Sequence, residues 1–308
     1  FTPLRKDSRF DKYDLIHLPL PQHEDSFKGL PIPVVATLHD LTDILFPEWH
    51  QRRNLRLAKR GMRFLLDAEA YFIAVSESTR QDLLTHYAVP EDHVDVVYEA
   101  ANPDHFHPHA TEAERQAVRT KYGIGTAPYL LTLSTIEPRK NLLRTVRAFQ
   151  EMNNKHPELA VKLVIAGKYG WKSREVYKGV DLTDDAIVFT GFVAEADLPV
   201  LYAEAQALCY VSLYEGFGLP PVESMLCGTP VIFGNRSSLP EVVGEAGVGV
   251  DPEDTGAIAQ AMYQMVSKKE RDPEQMEAAV QQGRSFSWSQ CARDTLAVYE
   301  KAISQAKN

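Results

Sequence analysis

Cysteine is scarce in this chain of 308 residues: there are three, Cys209, Cys227 and Cys291, standing far apart. An odd and scattered set argues against a disulfide framework or a zinc site. The apolar neighbours of Cys209 and Cys227 instead suit small core residues in a reducing compartment. No hydrophobic run approaches the ~20 residues that span a bilayer, and the first residues lack a signal-peptide pattern. Positive charge is in deficit, with 33 Lys and Arg against 42 Asp and Glu for a net -9, which argues against general nucleic-acid affinity. Internal repeats and low-complexity tracts are absent. So is any D-x-D pair, the usual way to offer carboxylates to a divalent metal. Glycine is missing from most of the start, where Gly29 stands alone among the first 30 residues.

What is present suits two ordinary α/β domains. The length allows two cores, and 44% hydrophobic with 24% charged residues is a common globular balance. Short apolar runs alternate with helical patterns, which implies mainly parallel sheets. The runs are Asp14–Leu20, Pro33–His39, Tyr71–Val75, Val94–Tyr98, Tyr129–Leu133, Val161–Ala166, Ile187–Thr190, Ala207–Leu213, Val231–Phe233 and Val248–Val250. Helices are predicted over 48–66, 111–122, 254–270, 273–283 and 288–306, with shorter ones after Ser76, Asn141, Asp197, Pro221 and Ser237.

Three places carry chemistry. In the first, Tyr214 to Glu223 reads YEGFGLPPVE and is closed by Gly228-Thr229-Pro230. A strand, a glycine loop, a short helix and a strand follow one another. Gly216 and Gly218 let backbone approach a ligand, and the N–H groups of the helix start make a seat for phosphate. Glu215 and Glu223 each can grip a pair of neighbouring hydroxyls. Equally, Glu223 could serve only the helix dipole and Glu215 only solvation. In the second, Arg139 and Lys140 stand just before a helix, where cations oppose the dipole unless an anion sits there; the alternative is a solvated loop pair. In the third, His39 and Asp40 end a strand, the edge where open α/β sheets place ligands, although a lone histidine there is more often structural.

Two further segments have competing readings. Arg52, Arg56, Lys59, Arg60 and Arg63 crowd the 48–66 helix away from Leu55, Ala58, Met62 and Leu65. This is either a solvated basic face or a dock for anionic lipid or a charged acceptor. His105, His107 and His109 alternate, as metal ligands on an extended segment do. Two prolines and no neighbouring carboxylate or cysteine set favour a linker, with no metal.

The EGFGLPPVE core with the following GTPVI resembles the E-x7-E element of the family 4 glycosyltransferases, which move sugar from a nucleotide diphosphate sugar with retention at the anomeric carbon. The resemblance implies a GT-B architecture: two Rossmann-like domains with parallel sheets facing a cleft. It also implies residue roles. Thr37-Leu38-His39-Asp40 matches the TxHD sequence whose His contacts the transferred sugar, and Val75 to Arg80 lines the cleft. Ser134, Thr135, Arg139 and Lys140 fall on the phosphate loop, and Gly167, Phe192 and Val193 on turns near the nucleotide. Gly216, Phe217, Gly218 and Leu219 supply backbone, Glu215 holds the sugar and Glu223 the ribose. Many members carry an Arg five residues before the Lys, where this chain has Thr135.

The expected domains are 1–110 for the acceptor side, a linker 111–126, the nucleotide-sugar domain 127–285, and a helix 286–308 crossing back to the first. The family normally begins with a strand and a glycine-rich loop that this chain lacks, so the first domain is expected to be shortened. The expected function is transfer of a hexose, mannose favoured, from a nucleotide diphosphate sugar to a hydroxyl acceptor on a glycan or lipid-linked glycan, with neither cofactor nor metal. The alternatives are carboxylate-pair glycoside hydrolysis, which leaves Arg139 and Lys140 idle, a GT-B epimerase, and a non-catalytic nucleotide-sugar-binding subunit. The expected location is the cytoplasm, at the inner membrane face if the basic helix docks there.

Overall fold

The computed structural model describes residues 12–21, 32–133, 137–167, 184–268 and 271–306. Gly29, Ser134, Thr135 and Lys168 lie outside the described residues. The chain divides into two compact units, Phe1–Glu99 with Trp288–Asn308, and Ala100–Ser287.

The first unit is a parallel four-stranded sheet in the order β1 (Ile16–Leu18), β2 (Val34–Leu38), β3 (Tyr71–Ala74), β4 (Val94–Val96). Its helices are α1 (Thr42–Leu45), α2 (Arg52–Asp67) and α3 (Glu77–His86). Ser76 caps α3, its Oγ accepting the Thr79 N–H at 3.0 Å. Strands buried on both faces need continuous apolar runs, and period 2 divides them. Val34, Ala36 and Leu38 face a core with Met62, Leu65 and Leu83. Val35, Tyr71 and Ile73 face the other side, covered by Val298 and Ala302 of the final helix, α11 here (Trp288–Ala306). Polar ties fix that helix: Tyr299 Oη lies 2.6 Å from His17 Nδ1, and Lys301 Nζ 2.7 Å from Asp95 Oδ2. Tyr71 Oη also donates to Gln305.

The second unit contains β5 (Tyr129–Leu133), β6 (Lys162–Ala166), β7 (Ile187–Gly191), β8 (Ala207–Tyr210), β9 (Val231–Gly234) and β10 (Gly247–Val250). They form one parallel sheet in the order β10-β9-β8-β5-β6-β7. This is the doubly wound order, and it reverses between β5 and β8. Its helices are α4 (Glu112–Lys121), α5 (Leu142–Lys155), α6 (Leu198–Glu204), α7 (Leu219–Leu226), α8 (Leu239–Val243), α9 (Thr255–Val266) and α10 (Pro273–Arg284). Val146, Phe149 and Met152 of α5 and Ile258 and Met262 of α9 pack into one core with Leu130, Leu163 and Cys209. Burial pushes the Cys209 thiol up to about 12, as befits an inert core residue.

The division falls at Glu99/Ala100, not in the 110–127 region expected from the sequence. Segment 111–126, expected as a linker, is part of the second unit because α4 is anchored at both ends. Thr111 and Glu114 form a capping box at its start. Near its end Arg119 pairs with Glu204 at 3.3 Å and donates to the carbonyls of Gly125 and Ala127. The basic stretch also differs: a short turn, Pro47–Trp49, precedes α2, so the helix begins at Arg52.

Candidate functional site

Ligands of a doubly wound sheet bind beyond the carboxyl ends of its strands, at the point where strand order reverses. Here that point lies between β5 and β8. The loops leaving them contain Glu137–Asn141 and Val211–Gly218. The sequence marked both separately, and the fold brings them together.

Glu215 is the centre, only 5% exposed. Arg139 Nη1 donates to its Oε2 at 2.6 Å and Lys140 Nζ to its Oε1 at 2.7 Å. Arg139 Nε also pairs with buried Glu137, and Lys140 Nζ lies 2.6 Å from Tyr210 Oη. Burial alone would raise the Glu215 pKa, but the charges of Lys140 and Arg139 outweigh it, so the carboxyl is held below its ordinary value. Burial lowers the Lys140 pKa, assisted by neighbouring Arg139 and opposed by Glu215. The Lys140 side chain is 9% exposed, which excludes a solvated loop pair.

The loops are locked by polar contacts that the sequence did not advertise. Asn141 sits at φ 57 and donates from Nδ2 to the carbonyls of Val211 at 3.0 Å and Pro252 at 2.6 Å. The Leu213 N–H meets the Arg139 carbonyl at 2.8 Å, joining the two loops directly. Ser238 Oγ reaches the carbonyls of Glu215 and Phe217, and Ser237 Oγ accepts the Glu215 N–H at 2.9 Å. One signal was legible for Asn141: asparagine tolerates the left-handed region better than most residues.

Helix α7 starts at Leu219, earlier than the expected Pro221. Gly218 caps it at φ 113, and a Cβ there would stand 3.0 Å from Leu239 Cδ2. Pro220 and Pro221 carry no N–H, so the first turn offers those of Leu219 and Val222. With that start, Glu223 lies in the second turn rather than the first, which removes it from the helix-dipole position. Its Oε2 instead accepts a hydrogen bond from buried Tyr202 at 2.7 Å, and burial raises its pKa. Gly167 follows β6, and its N–H meets the Gly191 carbonyl at 2.9 Å. Next to Gly191, Phe192 is 63% exposed while Val193 is buried.

His39 belongs to the first unit, immediately after β2. Its Nδ1 lies 3.1 Å from Glu99 Oε1, and that hydrogen bond raises the His39 pKa against the effect of burial. Beside it is a cavity of about 440 Å³ lined by Asp40, Asp43, His50 and Asn54, with Leu57 and Met62 among its apolar walls. Asp40 Oδ1 accepts from Thr42 Oγ1 at 2.6 Å, and Thr42 in turn lies 3.0 Å from His50 Nε2. Of the three alternating histidines, His105 is held by the Glu195 carbonyl at 3.2 Å. Among the described residues, no group of three or more His, Cys, Asp or Glu is arranged to hold a metal ion.

Residues 127–268 match the sequence family described as Glycosyl transferases group 1, and residues 2–105 match Glycosyltransferase Family 4. An O-antigen chain mannosyltransferase B of Escherichia coli is 32% identical over 272 residues, covering 86% of this chain and 70% of that protein. The chain belongs to the family 4 glycosyltransferases. A serotype-specific mannosyltransferase of Escherichia coli, WbdA, is 29% identical over 92% of this glycosyltransferase, which spans only 36% of that relative. Among solved structures, a Rickettsia africae glycosyltransferase matches with a TM-score of 0.77 at 20% identity, over 97% of this chain and 79% of the other. Anabaena HepE in complex with UDP and glucose matches with a TM-score of 0.72 at 20% identity, over 94% and 77% of the two chains. These likenesses, with two parallel α/β sheets, make the fold GT-B. No described helix is long and apolar enough to cross a membrane.

Proposed function

We propose that this glycosyltransferase moves mannose from a nucleotide diphosphate sugar to a hydroxyl acceptor with retention and without a metal. The observation that carries the reading is the cluster of Arg139, Lys140 and Glu215 at the strand-order reversal, within reach of the loop that starts α7. Cations fixed there are suited to a diphosphate leaving group, whose negative charge grows as the glycosidic bond breaks. Groups already oriented stabilise that transition state more than the ground state.

The structure adds a feature the sequence did not suggest. Both cations are paired with carboxylates, so an arriving diphosphate competes with Glu215 for them. Its arrival releases Glu215 to accept hydroxyls of the sugar. Glu223, oriented by Tyr202, takes the ribose, and Phe192 and Val193 flank the base. For His39, contact with the transferred sugar is supported by the family resemblance. The cavity beside it, within the usual 300–1,000 Å³ of small-molecule sites, suits the hydroxyl-rich end of an acceptor.

Mannose is favoured because the Escherichia coli relatives carry that activity in their names; the HepE complex keeps glucose as the competitor. Titration calorimetry of GDP, UDP and ADP into wild type and Lys140→Ala tests the donor site. One nucleotide is expected to bind, and the substitution to weaken it at least about tenfold, or 1.4 kcal/mol. Transfer from the matching mannose and glucose donors to methyl α-mannoside, with chelator present and the product anomer read by NMR, tests the rest. A donor sugar altered without acceptor would indicate an epimerase. Absence of nucleotide binding would remove the proposal.

A further inference from the structure

Helix α2 presents an unusual outer face. Arg52, Arg53, Arg56, Lys59, Arg60 and Arg63 are all exposed. At 100° per residue they fall within an arc of about 120°, over roughly 17 Å of helix. No Asp or Glu occurs between Arg52 and Arg63. Among the described residues, Arg52, Arg53, Arg56 and Arg63 have no ion-pair partner, and Lys59 feels only the nearby Asp43 carboxylate. The opposite side is buried through Ala58, Gly61, Met62, Phe64 and Leu65, so the stripe is held rigidly outward. All this occurs in a chain of net charge -9, whose remainder is therefore more acidic still.

We propose that this stripe docks on a membrane surface rich in anionic phospholipid. A straight convex rod of cations matches a plane of phosphate headgroups, whereas a duplex is usually read by elements inserted into a groove. The acidic remainder is repelled by the same surface, which selects one orientation. Directly before α2, Phe46 and Trp49 stack with centroids 4.0 Å apart, both half-buried. Aromatic rings next to basic residues are characteristic of interfacial anchors. The stripe itself has no exposed large apolar residue, so docking is electrostatic and reversible rather than insertion. The inference does not depend on the donor-site reading.

Co-sedimentation with phosphatidylcholine vesicles containing 30% phosphatidylglycerol, or none, tests it at ~0.1 M and ~0.5 M NaCl. Wild type is expected to bind only the anionic vesicles and to be released by the higher salt. The variant Arg56→Gln/Arg60→Gln/Arg63→Gln should bind at least about 30-fold more weakly, from roughly fivefold per cation. A charge-matched control, Arg147→Gln/Lys155→Gln/Lys268→Gln, should bind as wild type does, because its cations are exposed elsewhere. Thermal melts must show all three proteins folded; if the first variant is not, the single Arg56→Gln, expected to lose about fivefold, carries the test. Equal loss in both triple variants, or binding to neutral vesicles, would overturn the proposal. So would tighter binding of a fluorescent DNA duplex than of anionic vesicles.

Discussion

Replacing Glu215 by glutamine separates the two tasks proposed for it. The wild-type carboxylate touches Arg139 at 2.6 Å and Lys140 at 2.7 Å and is almost fully buried. Removing one member of a buried ion pair generally costs about 3–5 kcal/mol. The Arg139 side chain is 24% exposed, and glutamine keeps one acceptor oxygen, so about 2–3 kcal/mol is expected. For a unit of this size that lowers Tm by about 4–12 °C. The same change leaves one positive charge uncompensated, so GDP or UDP should bind up to about tenfold tighter. Transfer should nevertheless fall at least about 100-fold, because the sugar loses its grip. Calorimetry, thermal melts and initial rates on one preparation read all three quantities. Weaker nucleotide binding with an unchanged Tm would refute the reasoning. The pH dependence adds a check of sign. The folded pKa of Glu215 is depressed below 4.5, so its stabilisation is complete above the unfolded value and lost as pH falls through the folded one. The Tm gap between wild type and variant should therefore narrow in acid.

Glu223 behaves in the opposite sense, since burial raises its pKa above 4.5. Its protonated form favours folding, and that benefit disappears as pH rises through the folded value. Glu223→Gln should thus melt at or above the wild-type temperature at pH 7, while nucleotide affinity falls about tenfold in calorimetry. Glu99→Gln should lower the His39 pKa, seen by NMR titration of the ring protons, because the Glu99 hydrogen bond is the main cause of its elevation. An unmoved titration would mean that the contact is not made in solution. Gly283→Ala should destabilise by about 1–3 kcal/mol in denaturant melts, since a Cβ there stands 2.9 Å from Leu226 N of the helix packed against it.

The parallel α/β character was legible because most strands are apolar runs and the intervening segments have helical spacing. The strand order was not, because nothing local in Tyr129–Leu133 states that β8 will lie beside it. That same blindness hid the contact of Glu215 with Arg139 and Lys140, which are 76 and 75 residues away in the chain. Glu215 and Glu223 stood out through glycine and proline context. Their hydroxyl partner Tyr202, and the locks made by Asn141, Ser237 and Ser238, did not. Such residue types are common in any chain, and only the tertiary fold gives them partners. Helix ends shifted by a few residues where prolines fit inside a first turn, as at Pro220. The 111–126 linker was misjudged because polar composition reads as solvated, whereas Arg119 and Glu204 attach that segment to its neighbours.

The placement of α11 sets an order of events during synthesis. Val35, Tyr71, Ile73 and Val97 are made early, yet the helix that covers them is the last element of the chain described here. All of the second unit must emerge first, which at bacterial or eukaryotic elongation rates takes roughly 10–40 s. During that interval one face of the first sheet stays uncovered on the ribosome, while the second unit, uninterrupted in sequence, can finish folding. A nascent chain of this protein therefore has a natural client site for chaperones, and it closes only once α11 itself has emerged.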